Sequence, residues 1–137
     1  MREIFLDTSF AIALSASTDQ NHAKAVELAE QIESQNICLV TTQAILLEIG
    51  NALSKHKYRT AAIQLLESLE SDPNVKIVPL TNYMTQHFNY SETVKIKNGG
   101  LVDCISFVVM QSLSITEALT ADDHFNQAGF RALLKCP

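Results

Sequence analysis

The sequence predicts an α/β fold in which a mostly parallel sheet carries helices on both faces. Short apolar runs of strand length alternate along the chain with longer stretches of helical period, the signature of strand–helix–strand units. The 137 residues are 47% hydrophobic, enough for one core and too few for two ordinary domains, so residues 1–137 are expected to form one domain. No repeat, linker or low-complexity segment interrupts them. With only 4 Gly and 3 Pro, the composition excludes disordered and collagen-like chains.

Taken in order, Ile4-Phe5-Leu6 reads as a buried strand ending at Asp7. Residues 9–16 form a short helix, closed by the polar run Ser17-Thr18-Asp19-Gln20-Asn21. Ala25, Leu28, Ala29 and Ile32 recur at helical spacing, with Glu27, Glu30 and Glu33 on other faces, which predicts a helix over 22–35. The second strand is Ile37-Cys38-Leu39-Val40, and Thr41 or Thr42 caps a helix running to about Leu53. Ala62, Leu65, Leu66 and Leu69 extend a further helix over 58–70 until Asp72-Pro73-Asn74 stops it. The third strand is expected over 75–78.

Residues 81–95 are weakly periodic and read as a helix, and Asn98-Gly99-Gly100 is the clearest turn. Residues 101–113 are apolar on nearly all sides, which suits a helix buried in the middle of the protein. Ala118-Leu119-Thr120 and residues 130–134 are the fourth and fifth strand candidates.

Parallel sheets place their sites at the carboxyl ends of the strands, so the residues after each apolar run matter most. Asp7 stands directly after the first, where it serves as a helix N-cap or as a functional group. Asp122 and Asp123 follow the fourth strand, where loop aspartates are common. Glu48 lies mid-helix among Ile45, Leu46, Leu47 and Ile49, with Ala44 and Ala52 on its own face. A buried, unpaired carboxylate there is costly, so Glu48 either reaches solvent or faces a cation. Asp103 opens the most apolar helix, where it complements the helix dipole or serves a site.

Carboxylates gathered at one sheet edge repel and raise each other's pKa values unless a cation joins them. With no cysteine pair and no close histidine pair, the natural occupant is a hard, oxygen-loving ion such as Mg²⁺ or Mn²⁺. His22, His56, His87 and His124 are scattered, and His124 reads as structural or peripheral. The chain has no Gly-x-Ser-x-Gly elbow, phosphate loop or dinucleotide fingerprint. A dehalogenase-like phosphatase also begins with a strand and an aspartate, but it would want Asp-x-Asp where this chain has Ser9.

Four segments in order resemble the PIN-domain family: Asp7-Thr8-Ser9, Glu48-Ile49-Gly50-Asn51-Ala52-Leu53, Val102-Asp103-Cys104 and the run from Ala118 to Phe125. The VapC-like ribonuclease toxins are the most similar subgroup. The resemblance spans essentially the whole chain and rests on the four motifs together. It implies a three-layer α/β/α sandwich with about five strands and a metal-dependent endoribonuclease whose acids line one cleft. Asp7, Glu48 and Asp103 match the family's three central acids and Asp122 the fourth, leaving Asp123 outside the cluster, where relatives often carry a basic residue. Ser9 and Thr120 match hydroxyl positions beside the acids, and Asn51 a recurrent polar neighbour. It also implies an RNA substrate, a small cognate antitoxin and a homodimer.

On this reading one or two Mg²⁺ or Mn²⁺ ions held by the four acids activate a water and clamp the phosphate, with Ser9 and Thr120 orienting the ligands. Lys55, Lys57 and Arg59, following the Glu48 helix, are candidates to touch RNA phosphates, as are Lys95 and Lys97. The alternative for each is a solvated helix end. Two other functions fit the same motifs, a PIN-like RNA-processing nuclease without an antitoxin and a catalytically silent binding module. The formal charge of -5 taken alone argues against RNA, yet four of those charges belong to the proposed site acids, and without them the scaffold carries -1. Three cysteines without a paired framework, and no apolar run of membrane-spanning length, lead to an expectation of a soluble cytoplasmic protein with no membrane contact.

Overall fold

The structure, a computed structural model, describes residues 2–80 and 100–135. The chain begins β1 (Glu3–Leu6), α1 (Thr8–Ser15), α2 (His22–Ser34), β2 (Cys38–Thr42), α3 (Gln43–Ala52) and α4 (His56–Ser71). It continues through β3 (Val75–Val78), α5 (Leu101–Ser112), β4 (Glu117–Leu119), α6 (Asp123–Gln127) and β5 (Arg131–Ala132), then a 3-10 turn at Leu133–Lys135. The expected helix over 81–95, the Asn98-Gly99 part of the turn, and Lys95, Lys97, His87 and Cys136 lie outside the described residues.

The strands form one five-stranded parallel sheet in the order β3-β2-β1-β4-β5. The first strand of the chain is therefore the central one. Phe5 faces Val40 on one side and Ala118 on the other, and Leu6 faces Leu119. Helices cover both faces in the α/β/α arrangement. The period of two sorts the strand side chains between two cores. Phe5, Val40 and Ala118 join the larger one with Ile45 and Ile49 of α3, Ala62 and Leu69 of α4, and α5. Ile4 and Leu119 join the smaller one with Phe10 and Ala13 of α1 and Ala25 and Leu28 of α2.

Local chemistry explains most element ends. Thr42 caps α3 by accepting the Ile45 N–H at 3.1 Å. Pro73 cannot continue α4, and Asp72 Oδ1 closes the turn by accepting from the Asn74 N–H at 2.8 Å. The α6–β5 turn takes Gly129 at φ 95°, a conformation that a side chain would strain.

Three boundaries differ from the sequence expectation. Strand β2 runs two residues further, because Thr41 and Thr42 pair with Ile77 and Val78 of β3. Strand β5 keeps only two residues of the expected 130–134, Arg131 and Ala132, which pair with Glu117 and Ala118 of β4. Beyond it Leu133 and Leu134 turn into the smaller core. Residues 123–127, given no element from the sequence, form a one-turn helix, since Asp122 caps it through the His124 N–H at 2.9 Å.

Helix α5 is buried at every position from Cys104 to Met110, as its all-round apolarity predicts. Phe107 meets the α6 residue Phe125 edge-on, with ring centroids 4.8 Å apart, and stacks against Phe130 at 5.6 Å. These rings fix α6 against α5, which matters because each carries an acid. Leu65, Leu66 and Leu69 pack on the larger core. No helix among the described residues is long and apolar enough to cross a membrane. Phe125 is fully buried, so Phe125→Ala is expected to cost about 3–5 kcal/mol in urea-induced unfolding followed by circular dichroism.

Candidate active site

Asp7, Glu48, Asp103 and Asp122 line one cleft of about 400 Å³, together with Thr8, Ser9 and Asn51. The cleft opens at the carboxyl end of the sheet, where β1 and β4 run side by side. Because Leu6 is in register with Leu119, the residues that follow them, Asp7 and Thr120, emerge as neighbours. The Asp7 N–H still donates to the Leu119 carbonyl at 3.2 Å, and the Thr120 hydroxyl donates to Asp7 Oδ2 at 2.7 Å.

Asp7 occupies the N-cap position of α1, yet its side chain makes no capping bond. The carboxylate is instead held by Thr120 and by the Ser9 hydroxyl at 3.2 Å. Ser9 Oγ accepts the Ala121 N–H at 2.9 Å and Thr120 Oγ1 accepts the Asp122 N–H at 3.0 Å, so these hydroxyls tie the start of α1 to the end of β4. Asp7 is 4% exposed. Burial raises its pKa, against the lowering by the Thr120 hydrogen bond, and the charges of Asp122 and Glu48 raise it further.

Glu48 is half-buried, and Oε1 accepts from the Thr8 hydroxyl at 2.6 Å. Thr8 was not among the expected residues; its only trace in the sequence is a hydroxyl beside the first acid. Asp103 sits in the first turn of α5, where the dipole favours a charged carboxylate. Its pKa is nevertheless pushed up to about 6, chiefly by burial and then by the charges of Asp122 and Asp7, with His124 opposing the shift. The dipole alone does not explain an acid in this position.

His124 stands inside the cluster rather than at its margin. Its Nδ1 lies 3.1 Å from Asp103 Oδ2 and 3.2 Å from Asp122 Oδ1. Burial lowers its pKa, but the Asp122 charge, the Asp103 hydrogen bond and the Asp103 charge outweigh it, and the net shift is upward. No histidine partner at ligand spacing betrays this in the sequence, since both neighbours are carboxylates and one is 21 residues away.

Other expected residues fall elsewhere. Asp123 is exposed and pairs with Lys135 at 2.6 Å. Asn51 lines the cleft, and its side chain makes no hydrogen bond to an acid among the described residues. Lys55, Lys57 and Arg59 are exposed and do not line the cleft. They stand at the N-terminus of α4, not at a helix C-terminus, so dipole complementarity does not account for them. Arg59 donates to the Ser54 carbonyl at 3.0 Å, and Lys57 Nζ lies 5.3 Å from the Tyr58 ring centroid.

The PIN-domain family model matches residues 4–131. The chain belongs to the PIN-domain family. Among solved structures it is similar to VapC20 of Mycobacterium tuberculosis, described as a sarcin–ricin-loop-cleaving toxin. The TM-score is 0.78 at 25% identity, over 93% of this chain and 95% of VapC20. It shares its fold with FitAcB of Neisseria gonorrhoeae, with a TM-score of 0.63 at 19% identity over 94% and 95% of the two chains. No curated protein matches by sequence.

This PIN-domain cleft presents carboxylate oxygens that repel one another, and the raised pKa values of Asp7 and Asp103 reflect burial first and that repulsion second. Such donors suit a hard divalent cation. The folded-state pKa of Asp103 exceeds its usual 3.8, so above about pH 6 its charge costs folding free energy, and the cost fades as pH falls through 6. With EDTA present at pH 7.5, Asp103→Asn is therefore expected to stabilise the protein by roughly 2–3 kcal/mol. Thermal unfolding should show that gain vanish near pH 4.

Proposed function

We propose that the protein is a Mg²⁺- or Mn²⁺-dependent endoribonuclease, the toxin of a toxin–antitoxin pair. The observation that supports it most is the convergence of Asp7, Glu48, Asp103 and Asp122, from four separate stretches of a PIN domain, on one open cleft. The likeness to VapC20, described as a sarcin–ricin-loop-cleaving toxin, points the same way.

In this reading the four acids hold the metal. When bound, the ion supplies the positive charge that neutralises a phosphodiester and the acidity that activates water. The chain's own residues supply rigidity. Thr120 and Ser9 leave Asp7 Oδ2 little freedom to rotate, and Thr8 fixes Glu48 Oε1, so these carboxylates need little rearrangement when a cation arrives. Asn51, exposed on the cleft wall beside Ala52, is proposed to act as a polar neighbour of the acids.

Lys55 and Lys57 are exposed a few residues beyond Asn51 and are proposed to meet RNA phosphates further along the strand, with Arg59 bracing the turn between α3 and α4. An antitoxin would be expected to cover the cleft, and two toxin copies to associate.

The decisive experiment is cleavage of total RNA with Mg²⁺ or Mn²⁺. Asp7→Asn is expected to lose activity by about a hundredfold or more, as does EDTA treatment of the parent protein. Wild-type rates in both would sink the proposal. For the basic residues, Lys55→Glu/Lys57→Glu should reduce the steepness of log K against log salt by about 0.7 per lost phosphate contact on single-stranded RNA. An unchanged slope removes them from the interface.

A further inference from the structure

Among the described residues, the ring nitrogen His124 Nδ1 stands within the acid cluster. One donor atom from each of Asp103, Asp122 and His124 lies within 4.8 Å of the other two. His124 Nδ1 is 3.1 Å from one carboxylate and 3.2 Å from the other. A neutral imidazole offers a single N–H, which cannot point squarely at two oxygens. Asp122 Oδ1, moreover, already accepts the backbone N–H of His124 at 2.9 Å, so the ring is not needed to satisfy it.

The same spacing has another meaning. Donors standing about 2.1 Å from an ion, at right angles to each other, are separated by about 3 Å. His124 Nδ1 thus stands at the distance of a neighbouring ligand from each carboxylate, and the two carboxylates offer donor oxygens within 4.8 Å of each other. The fold produces this placement locally. Asp122 caps α6 through His124, which turns the carboxylate and the ring of residues i and i+2 to one side. Phe125, the next residue, is buried against Phe107 of α5, which holds the ring over Asp103.

We propose that His124 is a metal ligand through Nδ1, completing the site with Asp103 and Asp122, and that this nitrogen biases the site toward Mn²⁺ over Mg²⁺. The inference rests on the metal-dependent reading given above. Mg²⁺ prefers an all-oxygen shell, whereas Mn²⁺ accepts imidazole more readily, so a single nitrogen shifts selectivity.

The test reads the metal rather than the reaction. Electron spin echo envelope modulation of the Mn²⁺-loaded protein without RNA should show coupling to an imidazole ¹⁴N, absent in His124→Gln. By calorimetry His124→Gln should bind Mn²⁺ about tenfold more weakly or worse, with a smaller loss for Mg²⁺, while Asp123→Asn keeps wild-type values.

Wild-type protein that binds Mn²⁺ without nitrogen coupling overturns the ligand assignment, as does coupling or full affinity retained in His124→Gln. Wild-type protein that binds no Mn²⁺ at all overturns the metal-dependent reading itself, and this inference with it. Should His124→Gln fail to fold, wild-type protein carrying ¹⁵N-histidine decides instead. Replacement of the ¹⁴N pattern by a ¹⁵N pattern supports the ligand, and an unchanged spectrum overturns it.

Discussion

Strand β1 lies at the middle of the sheet, in register with β4 so that Leu6 faces Leu119, and the site depends on that pairing. A parallel pair in register delivers its next residues side by side at the carboxyl edge. Here those residues are an aspartate and a threonine, and the hydroxyl that meets Asp7 Oδ2 at 2.7 Å makes its burial tolerable. A shift of one residue in that register would separate Asp7 from Thr120 and turn the alternating side chains into the wrong cores. The same residues that build the interior therefore also aim the first acid.

Around this pair the protein maintains a conflict. Three further carboxylates enter the same cleft from α3, α5 and the start of α6, and the rise of the Asp103 pKa to about 6 shows the resulting strain between burial and charge. Two devices hold the acids in place. Hydroxyls fix Asp7 and Glu48, while aromatic packing between Phe107 and Phe125 fixes α6 against α5 and keeps Asp103, Asp122 and His124 together. A protein with no use for concentrated negative charge would gain stability by losing one of these acids. Their gathering in one cleft suits a cationic occupant.

Much of the fold was legible because its signals are local. The Ile4-Phe5-Leu6 run, the Asp72-Pro73 stop, and the all-round apolarity of α5 depend on nearest neighbours along the chain and on burial. The short terminal elements were less legible. Strand β5 ends at Ala132, opposite Ala118, as Leu133 and Leu134 turn into the smaller core, and α6 exists because Asp122 finds the His124 N–H; neither condition is a local pattern of hydrophobicity. Lys55 and its neighbours, which follow the Glu48 helix in the sequence, fall at the start of α4. The turn between α3 and α4 is only three residues long, so the basic stretch begins the next helix instead of ending the previous one.

The sequence by itself determined the order of the five strands and of the longer helices among the described residues, the identity of the family and the four acids that line the cleft. These follow from periodicity, from residues placed after strands, and from motifs a few residues long. Only the tertiary structure decided which groups touch: that Thr8 serves Glu48, that Asp123 turns to Lys135, and that His124 stands between Asp103 and Asp122. Such contacts join residues up to 113 positions apart, as Thr120 and Asp7 are, across a register that no single segment specifies. Hydrogen-bond partners depend on ångström separations set jointly by sheet register, helix packing and the burial of Phe125, and those exist only once the whole core has formed.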